Sequence, residues 1–195
     1  NIRSQFEALK HQIEPHFFFN SLSVLNSLVH KDADLAGEYI AQLSKMYRYI
    51  LEVKDETVVV LQRELDFLNT YIFLMKMRHN DSIQFTIEIN DDTRKYIFVP
   101  KNSLQMLVEN SVKHNRFSKE SPLVVRITEE EDFLRVVNNL NRRELIEGSS
   151  GIGLENIKKR FELISDKQIE VEETSFTFCV KLPKLKKSEL KSIDI

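Results

Sequence analysis

Residues 12–20 read QIEPHFFFN, and this stretch decides how the first part of the chain folds. Apolar residues lead into it at alternating steps of four and three, and the last of them lies within the stretch; this is the repeat of a helix that packs on another helix. These residues are Ile2, Phe6, Leu9 and Ile13. The same steps continue to His16, Asn20 and Ser23, so the apolar stripe turns polar at the histidine. A second stripe with the same spacing follows and consists of Phe18, Leu22, Leu25 and Val29.

Pro15 accounts for the change of face. It has no N–H to donate to the carbonyl four residues back and its ring crowds that carbonyl, so a kink is predicted there. The kink presents His16 on a new surface. His16 is either a core histidine bonded to a neighbour or a chemically used imidazole, whose ordinary pKa of about 6.5 leaves a neutral, nucleophilic form at cytoplasmic pH. Phe17, Phe18 and Phe19 are predicted to fill space beside it.

Composition restricts the class of protein. The 195 residues suffice for one large domain or two small ones. With 28 Lys+Arg and 30 Asp+Glu, the net charge of −2 gives no electrostatic case for nucleic-acid binding. Cys179 is the single cysteine, which excludes an internal disulfide, fits a reducing compartment and is interpreted as a buried strand residue. No run of about 18 apolar residues and no signal peptide occurs. The start in mid-helix leads us to expect a fragment of a longer protein.

The hydrophobic pattern changes near residue 80. Before this point it predicts three amphipathic helices, which pack on one another or form a bundle from two copies of the chain. They cover residues 1–30, 35–50 and 61–79. Beyond it, alternating and helical patterns predict strands at 83–89, 123–127, 133–137, 168–172 and 175–182 and helices at 104–114 and 153–164. We therefore predict an α+β fold: a helical region, residues 1–80, and a domain, residues 81–195, whose mixed sheet is covered on one face by helices.

Three local predictions accompany this division. Asp32 or Asp34 caps the second helix, since aspartate side chains accept hydrogen bonds from the free N–H groups of a first turn. Residues 101–103 provide the cap of the helix that ends at His114. The lysine-rich tail, residues 184–187, is predicted to be a solvated, frayed end.

The helix over residues 104–114 carries polar side chains that share one face. Asn110, Lys113 and His114 are three and four residues apart. An amide oxygen is a suitable ligand for Mg²⁺, and a lysine one turn away can meet a phosphate. The alternative is a solvated helix face without chemistry.

Residues 149–154, SSGIGL, hold two of the chain's four glycines just before a predicted helix. Gly151 and Gly153 permit close backbone approach, and the helix that follows offers free N–H groups to an anion. The alternative is a loop in which the two glycines only make the turn.

Three segments, in this order, resemble motifs of the LytS-like family of sensor histidine kinases. Residues 9–20 resemble its phosphoacceptor motif, residues 104–114 its N box, and residues 151–157 with Arg160 its glycine box. Residues 61–78 are similar to the helix that precedes the family's ATP-binding domain. The resemblance implies a GHKL-type ATP-binding domain, a helical dimerisation and phosphotransfer part, and a response regulator as partner.

The resemblance also implies roles for single residues. His16 would be the phosphorylated residue, and Glu14 or Asn20 would orient its imidazole or accept its proton. Asn110 would be the Mg²⁺ ligand, and Lys113 would lie near the phosphates of ATP. His114 would also lie near the phosphates. The loop that contains Gly151, Gly153 and Leu154 would approach ATP as a lid.

One segment departs from the family pattern. Many such kinases carry Asp-x-Gly-x-Gly after the strand at 133–137, where the aspartate reads the adenine amino group. This chain has VNNLN at residues 137–141. Asn138 or Asn139 would accept that hydrogen bond as a neutral amide, so weaker ATP binding is expected.

The first interpretation is the cytoplasmic, dimeric kinase core of an inner-membrane sensor, which autophosphorylates His16 and passes the phosphoryl group to an aspartate of a response regulator. The second is a degenerate kinase that acts as a non-enzymatic dimeric scaffold. A GHKL ATPase in which Glu109 activates water leaves the Pro15-His16 pair without a role. A metal hydrolase on His11, His16 and His114 lacks a supporting carboxylate cluster.

Overall fold

A helical segment precedes a mixed sheet along the chain. The computed structural model describes residues 15–53, 55–142 and 152–191. Its helices are α1 (Pro15–Val29), α2 (Ala33–Glu52), α3 (Leu61–His79), α4 (Asp91–Tyr96), α5 (Ser103–His114) and α6 (Ile152–Ile164). Its strands are β1 (Val58–Val60), β2 (Ile83–Glu88), β3 (Phe98–Pro100), β4 (Leu123–Glu129), β5 (Phe133–Asn139), β6 (Glu170–Glu173) and β7 (Thr177–Pro183). Since α1 begins at Pro15, the predicted kink involves residues outside the described part.

The start of α2 follows from local chemistry. Asp32 has extended backbone geometry, and its carboxylate accepts a 2.9 Å hydrogen bond from the backbone N–H of Leu35. Asp32 is therefore the N-cap, as predicted. The apolar face of α2 buries Tyr39 and Met46 in the core.

Helix α3 is buried over most of its surface and exposes a polar strip that includes Asp66 and Asn69. The helix predicted over residues 61–79 is confirmed, and its apolar residues Leu61, Leu65, Leu68, Ile72 and Met75 are all buried. It contacts α1 and α2 on the helical side and α5, β2 and β3 on the other.

The main sheet has five strands in the order β2-β4-β5-β7-β6. Strands β2 and β4 are parallel, and the remaining neighbours are antiparallel, so the predicted mixed sheet is confirmed. Alternate side chains of β4 and β5 are buried, and α5 contacts both strands. The fold is α+β with a helix layer on the buried face of the sheet, and the strand predictions agree with the observed positions within a few residues.

Two features differ from the sequence-based expectation. Strand β3 was not predicted; it pairs antiparallel with β1 in a small second sheet. The tail was wrongly predicted to be frayed: Leu185 is fully buried, and its carbonyl accepts a 2.8 Å hydrogen bond from the N–H of Phe98. Leu185 was missed because the lysines on either side of it give the segment a polar sequence. Cys179 is buried within β7, as predicted.

Replacing Leu68 by alanine tests the central position of α3. Leu68 is fully buried, so Leu68→Ala should lower the free energy of unfolding by about 2–5 kcal/mol through lost burial and a residual cavity. Chemical denaturation measures the change. Asn69→Ala, at the exposed neighbouring position, is the control and should stay within about 0.5 kcal/mol. Equal effects of the two variants would contradict the burial of α3.

Candidate functional site

Helix α5 presents its apolar face to the core and its polar face outward. Leu104, Leu107 and Val108 are buried, as the spacing predicted. On the other face Asn110 is half-buried and Lys113 is exposed. The two side chains are therefore held at the surface by a helix that is itself firmly packed.

The first turn of α6 lies directly on the Asn110 side chain. A Cβ added to Gly153 would stand 2.6 Å from Asn110 Oδ1 and 2.7 Å from its Nδ2. Both distances are shorter than any ordinary contact, so only glycine permits this approach. The fold thus brings together the N box and the glycine box, which lie about forty residues apart. Gly151 is outside the described residues, and Leu154 is half-buried.

The amides of Asn138 and Asn139 are engaged within the protein. The Asn138 Oδ1 accepts a 3.0 Å hydrogen bond from the Ser111 hydroxyl of α5, and its Nδ2 donates to the Asn139 carbonyl at 2.7 Å. The Asn139 Oδ1 accepts from the N–H of Val124 at 2.8 Å, and its Nδ2 donates to the Pro122 carbonyl at 3.0 Å. Asn138 thus joins β5 to α5, and Asn139 braces the start of β4.

The end of α5 is tied to the segment that follows β5. Asn115 is buried; its Nδ2 donates to the Ser111 carbonyl, and its Oδ1 accepts from the N–H of Asn141, both at 2.8 Å. The N–H of Arg116 donates to the Asn141 carbonyl. The role of Asn115 was not predicted, because an asparagine after a helix is equally common in an ordinary turn.

His114 is held in its neutral form. Burial lowers the pKa of the imidazole, and the positive charges of Lys113 and Arg142 lower it further. At neutral pH Lys113 therefore lies beside an uncharged imidazole, and the nearby Arg142 guanidinium forms an ion pair with the Glu173 carboxylate. Lys113 can attract an anion, since a cation raises the local concentration of negative ligands.

A buried carboxylate caps α5 from another helix. Glu64 of α3 is fully buried, and its two oxygens accept 2.9 Å hydrogen bonds from the backbone N–H groups of Asn102 and Leu104. Asn102 itself has a left-handed backbone with φ 61°, and within the described residues its side chain makes no capping hydrogen bond. The N-cap residue of α5, Asn102, lies within the predicted residues 101–103, but the capping acceptor is the distant Glu64 carboxylate and not a side chain of this turn. The sequence offers little sign of this, because Glu64 and the turn lie 38 and 40 residues apart.

The turn that precedes α5 joins further elements. The Arg160 guanidinium of α6 donates a 2.8 Å hydrogen bond to the Lys101 carbonyl. The Lys101 ammonium donates at 2.8 Å to the carbonyl of Val53, the residue that ends α2. Arg160, matched above to the glycine box, thus anchors α6 to this turn.

The phosphoacceptor segment is described in part. Glu14 lies outside the described residues; His16 lies in α1, and its side chain is not among those described. Asn20 is half-buried on the same helix. Phe17 stacks on Tyr71 of α3 with 5.6 Å between ring centroids.

The other two phenylalanines of this segment differ from each other. Phe18 meets the edge of the Tyr47 ring at 6.2 Å, as a packing role predicts. Phe19 is 65% exposed, so the prediction that it fills space is wrong for this residue.

Two searches of the described residues gave negative results. None of the described helices is long and apolar enough to cross a membrane. The described residues hold no cluster of three or more His, Cys, Asp or Glu side chains arranged to bind a metal ion.

Replacing Gly153 by alanine should displace the Asn110 amide. The terminal atoms of a short side chain can rotate away, so Gly153→Ala should change the free energy of unfolding by less than about 1 kcal/mol while moving the side-chain amide signal of Asn110 in NMR spectra. Gly37→Ala in α2 is the matched control, because nothing lies within 4 Å of its added Cβ. An unmoved Asn110 signal in Gly153→Ala would contradict the contact.

The stability of the protein should depend on pH through Glu64. Burial raises the pKa of its carboxyl to about 7, although the surrounding N–H groups and Arg160 oppose the change. The folded state then holds a proton that the unfolded state releases near its ordinary pKa, so this stabilisation is complete below about pH 4 and is lost as the pH rises through 7.

Relative to Glu64→Gln, the wild type should lose about 2–3 kcal/mol of unfolding free energy between pH 5 and pH 8. Urea denaturation of both proteins across this range measures the difference. Parallel pH profiles would contradict a buried, titrating carboxyl.

Comparisons with known proteins find similarity to histidine kinases. A family model described as histidine kinase matches residues 4–83. Sensor protein kinase HptS of Staphylococcus aureus, in strains USA300 and NCTC 8325 among others, is 32% identical over 124 residues, which are 64% of this chain and 24% of HptS. The chain thus spans about a quarter of the length of these relatives.

Solved structures of histidine kinases are also similar. The catalytic domain of ThkA is 17% identical, with a TM-score of 0.43 over 67% of this chain and 98% of that one. AdeS of Acinetobacter baumannii is 7% identical, with a TM-score of 0.43 over 94% of this chain and 96% of its own. The chain is therefore similar to histidine kinases over residues 4–83, which the family model matches, and to sensor protein kinase HptS over 124 residues.

Proposed function

We propose that this chain is the kinase core of a two-component sensor, which transfers the γ-phosphoryl group of ATP to His16 and then to an aspartate of a response regulator. The contact between Asn110 and Gly153 carries the proposal. It puts a potential Mg²⁺ ligand beside the first turn of α6, and the N-terminus of a helix offers backbone N–H groups to phosphates. The residues therefore fit a Mg²⁺-nucleotide.

In this mechanism each residue of the site has a separate task. Asn110 would hold Mg²⁺ through its amide oxygen, and Lys113 with neutral His114 would bind phosphate oxygens. When bound, Mg²⁺ neutralises charge on the phosphates. Phosphoryl transfer depends mainly on this neutralisation and on the positioning of the reacting groups. Gly153 would let the backbone approach the nucleotide, with Leu154 beside it.

His16 would be the nucleophile. A neutral imidazole uses the lone pair of Nε2 to form the N–P bond while the bond from the γ-phosphorus to the bridging oxygen breaks and ADP leaves. The ring then carries a positive charge until Nδ1 loses its proton. Glu14 or Asn20 would orient the ring or accept this proton.

The assembly that we propose follows the family. Residues 1–80 would form the dimerisation and phosphotransfer region, and residues 81–195 the ATP-binding domain. Apolar side chains exposed on α1 and α2 support a homodimer, because such side chains favour burial against a partner. They include Phe19, Leu22, Val29, Ile40 and Leu51. We place this region in the cytoplasm, as part of a longer membrane-attached sensor.

Labelling with γ-phosphate-labelled ATP tests the reaction. The protein should acquire label that is lost in acid and kept in base, as expected of a phosphorylated imidazole, and His16→Ala should abolish it. His30→Ala, at an exposed turn after α1, is the matched control and should label normally. Chelation of Mg²⁺ should also stop labelling.

Label that persists in His16→Ala would contradict the assignment of the phosphoacceptor. Within the same assay, unchanged labelling in both Glu14→Ala and Asn20→Ala would remove the proposed role of these two residues.

A second candidate is a non-enzymatic dimeric scaffold with weak or no ATP binding. The observation in its favour is that the amides of Asn138 and Asn139 are already engaged in internal hydrogen bonds. A titration with Mg²⁺ and ATP separates the two candidates. No binding at millimolar nucleotide would favour the scaffold.

A further inference from the structure

The cap of α5 is unusual in its origin. Helix N-termini leave N–H groups without intrahelical partners, and a side chain close in sequence normally satisfies them. Here the acceptor is Glu64, on a different helix, and both of its oxygens are used. Since Asn102 adopts a left-handed backbone of the kind that asparagine tolerates better than most residues, the turn is shaped to aim its N–H groups at this carboxylate.

The cap fixes the position of the whole of α5 and not only that of its N-terminus. A carboxylate at a helix N-terminus gains both charge-assisted hydrogen bonds and a favourable interaction with the helix dipole. Because Glu64 is fully buried on the packed face of α3, it cannot follow a shift of α5 without losing these bonds. Asn110 lies six residues beyond Leu104 on the same helix, so its position depends on this attachment.

Helix α3 also reaches the phosphoacceptor helix. Tyr71 lies seven residues after Glu64, which is about two helical turns along α3. Its ring stacks on Phe17, the residue that follows His16. One rigid helix therefore contacts α1 through Tyr71 and α5 through Glu64.

We propose that Glu64 is a positioning residue for the nucleotide site: by capping α5 from α3, it sets the place of Asn110 relative to the helix that packs against α1. This inference rests on the function proposed above and specifies how the nucleotide site is held against the helical region. Glu64 acts through the backbone of α5 and does not touch the nucleotide.

Glu64→Gln is the direct test, since it keeps the shape and removes the second acceptor. Glutamine has one oxygen, so its NH₂ group must face a backbone N–H that it cannot accept from. The variant should fold, because it also removes the need to bury a charge. Asp66→Asn, an exposed carboxylate-to-amide change on the same helix, is the matched control.

Two quantities should be measured in the full 195-residue chain. The first is hydrogen exchange of the Asn102 and Leu104 amides without nucleotide, which reports on the cap alone. The second is the dissociation constant for ADP with Mg²⁺, measured by calorimetry, which needs no catalysis. In Glu64→Gln we expect exchange about tenfold faster and binding about tenfold weaker, the effect of losing one charge-assisted hydrogen bond. Asp66→Asn should match the wild type in both.

The outcomes separate this inference from the proposed function. Wild-type ADP binding with unchanged affinity in Glu64→Gln would overturn the positioning role and leave the kinase proposal standing. Failure of the wild type itself to bind ADP would overturn both.

The wild type provides a second measurement if the variant does not fold. In the wild type the amides of Asn102 and Leu104 should exchange as slowly as the amides inside α5, because Glu64 accepts a hydrogen bond from each. Exchange as fast as in an uncapped first turn would overturn the proposal.

Discussion

The burial of α3 on both sides is the constraint on which the rest of the structure depends. Its buried leucines belong to one core cluster with residues of α2 and of the main sheet, so this single core joins the two parts of the described chain. A polar group carried into this space must find partners there, because an unpaired charge in a core is very costly. Glu64 finds them in the N–H groups at the start of α5. The position of α5, and of every side chain on it, follows from this match.

Three polar residues in or just after α5 contact other parts of the site. Asn110 meets Gly153 of α6, Ser111 meets Asn138 of β5, and Asn115 holds Asn141. The amide at position 138 has a physical consequence of its own. An aspartate there could accept from a hydroxyl but could not donate to the neighbouring carbonyl, as the Asn138 Nδ2 does. Asn138 is therefore a neutral group that both donates and accepts.

Sequence periodicity predicted the long elements well. The stripes of α2 and α3 and the alternation in β4 and β5 arise from burial on one side of a regular element, which a sequence records directly. The pairing of β1 with β3, the anchor at Leu185 and the cap from Glu64 depend on residues far apart in the chain, which no local pattern records. For the site, the resemblance to known motifs predicted the roles of Asn110 and the glycines. The hydrogen bonds of Asn138 and Asn139 to backbone groups could be seen only in the structure.

The end of the described chain returns to α6, the helix whose first turn contains Gly153. After β7, the backbone N–H of Lys191 donates a 2.8 Å hydrogen bond to the carbonyl of Ile164, the last residue of α6, and its ammonium donates to the Glu162 carbonyl. A fluorophore attached at position 191 would therefore sit at the far end of the helix whose first turn contacts Asn110. Its emission would report displacement of that helix without any dye near the nucleotide.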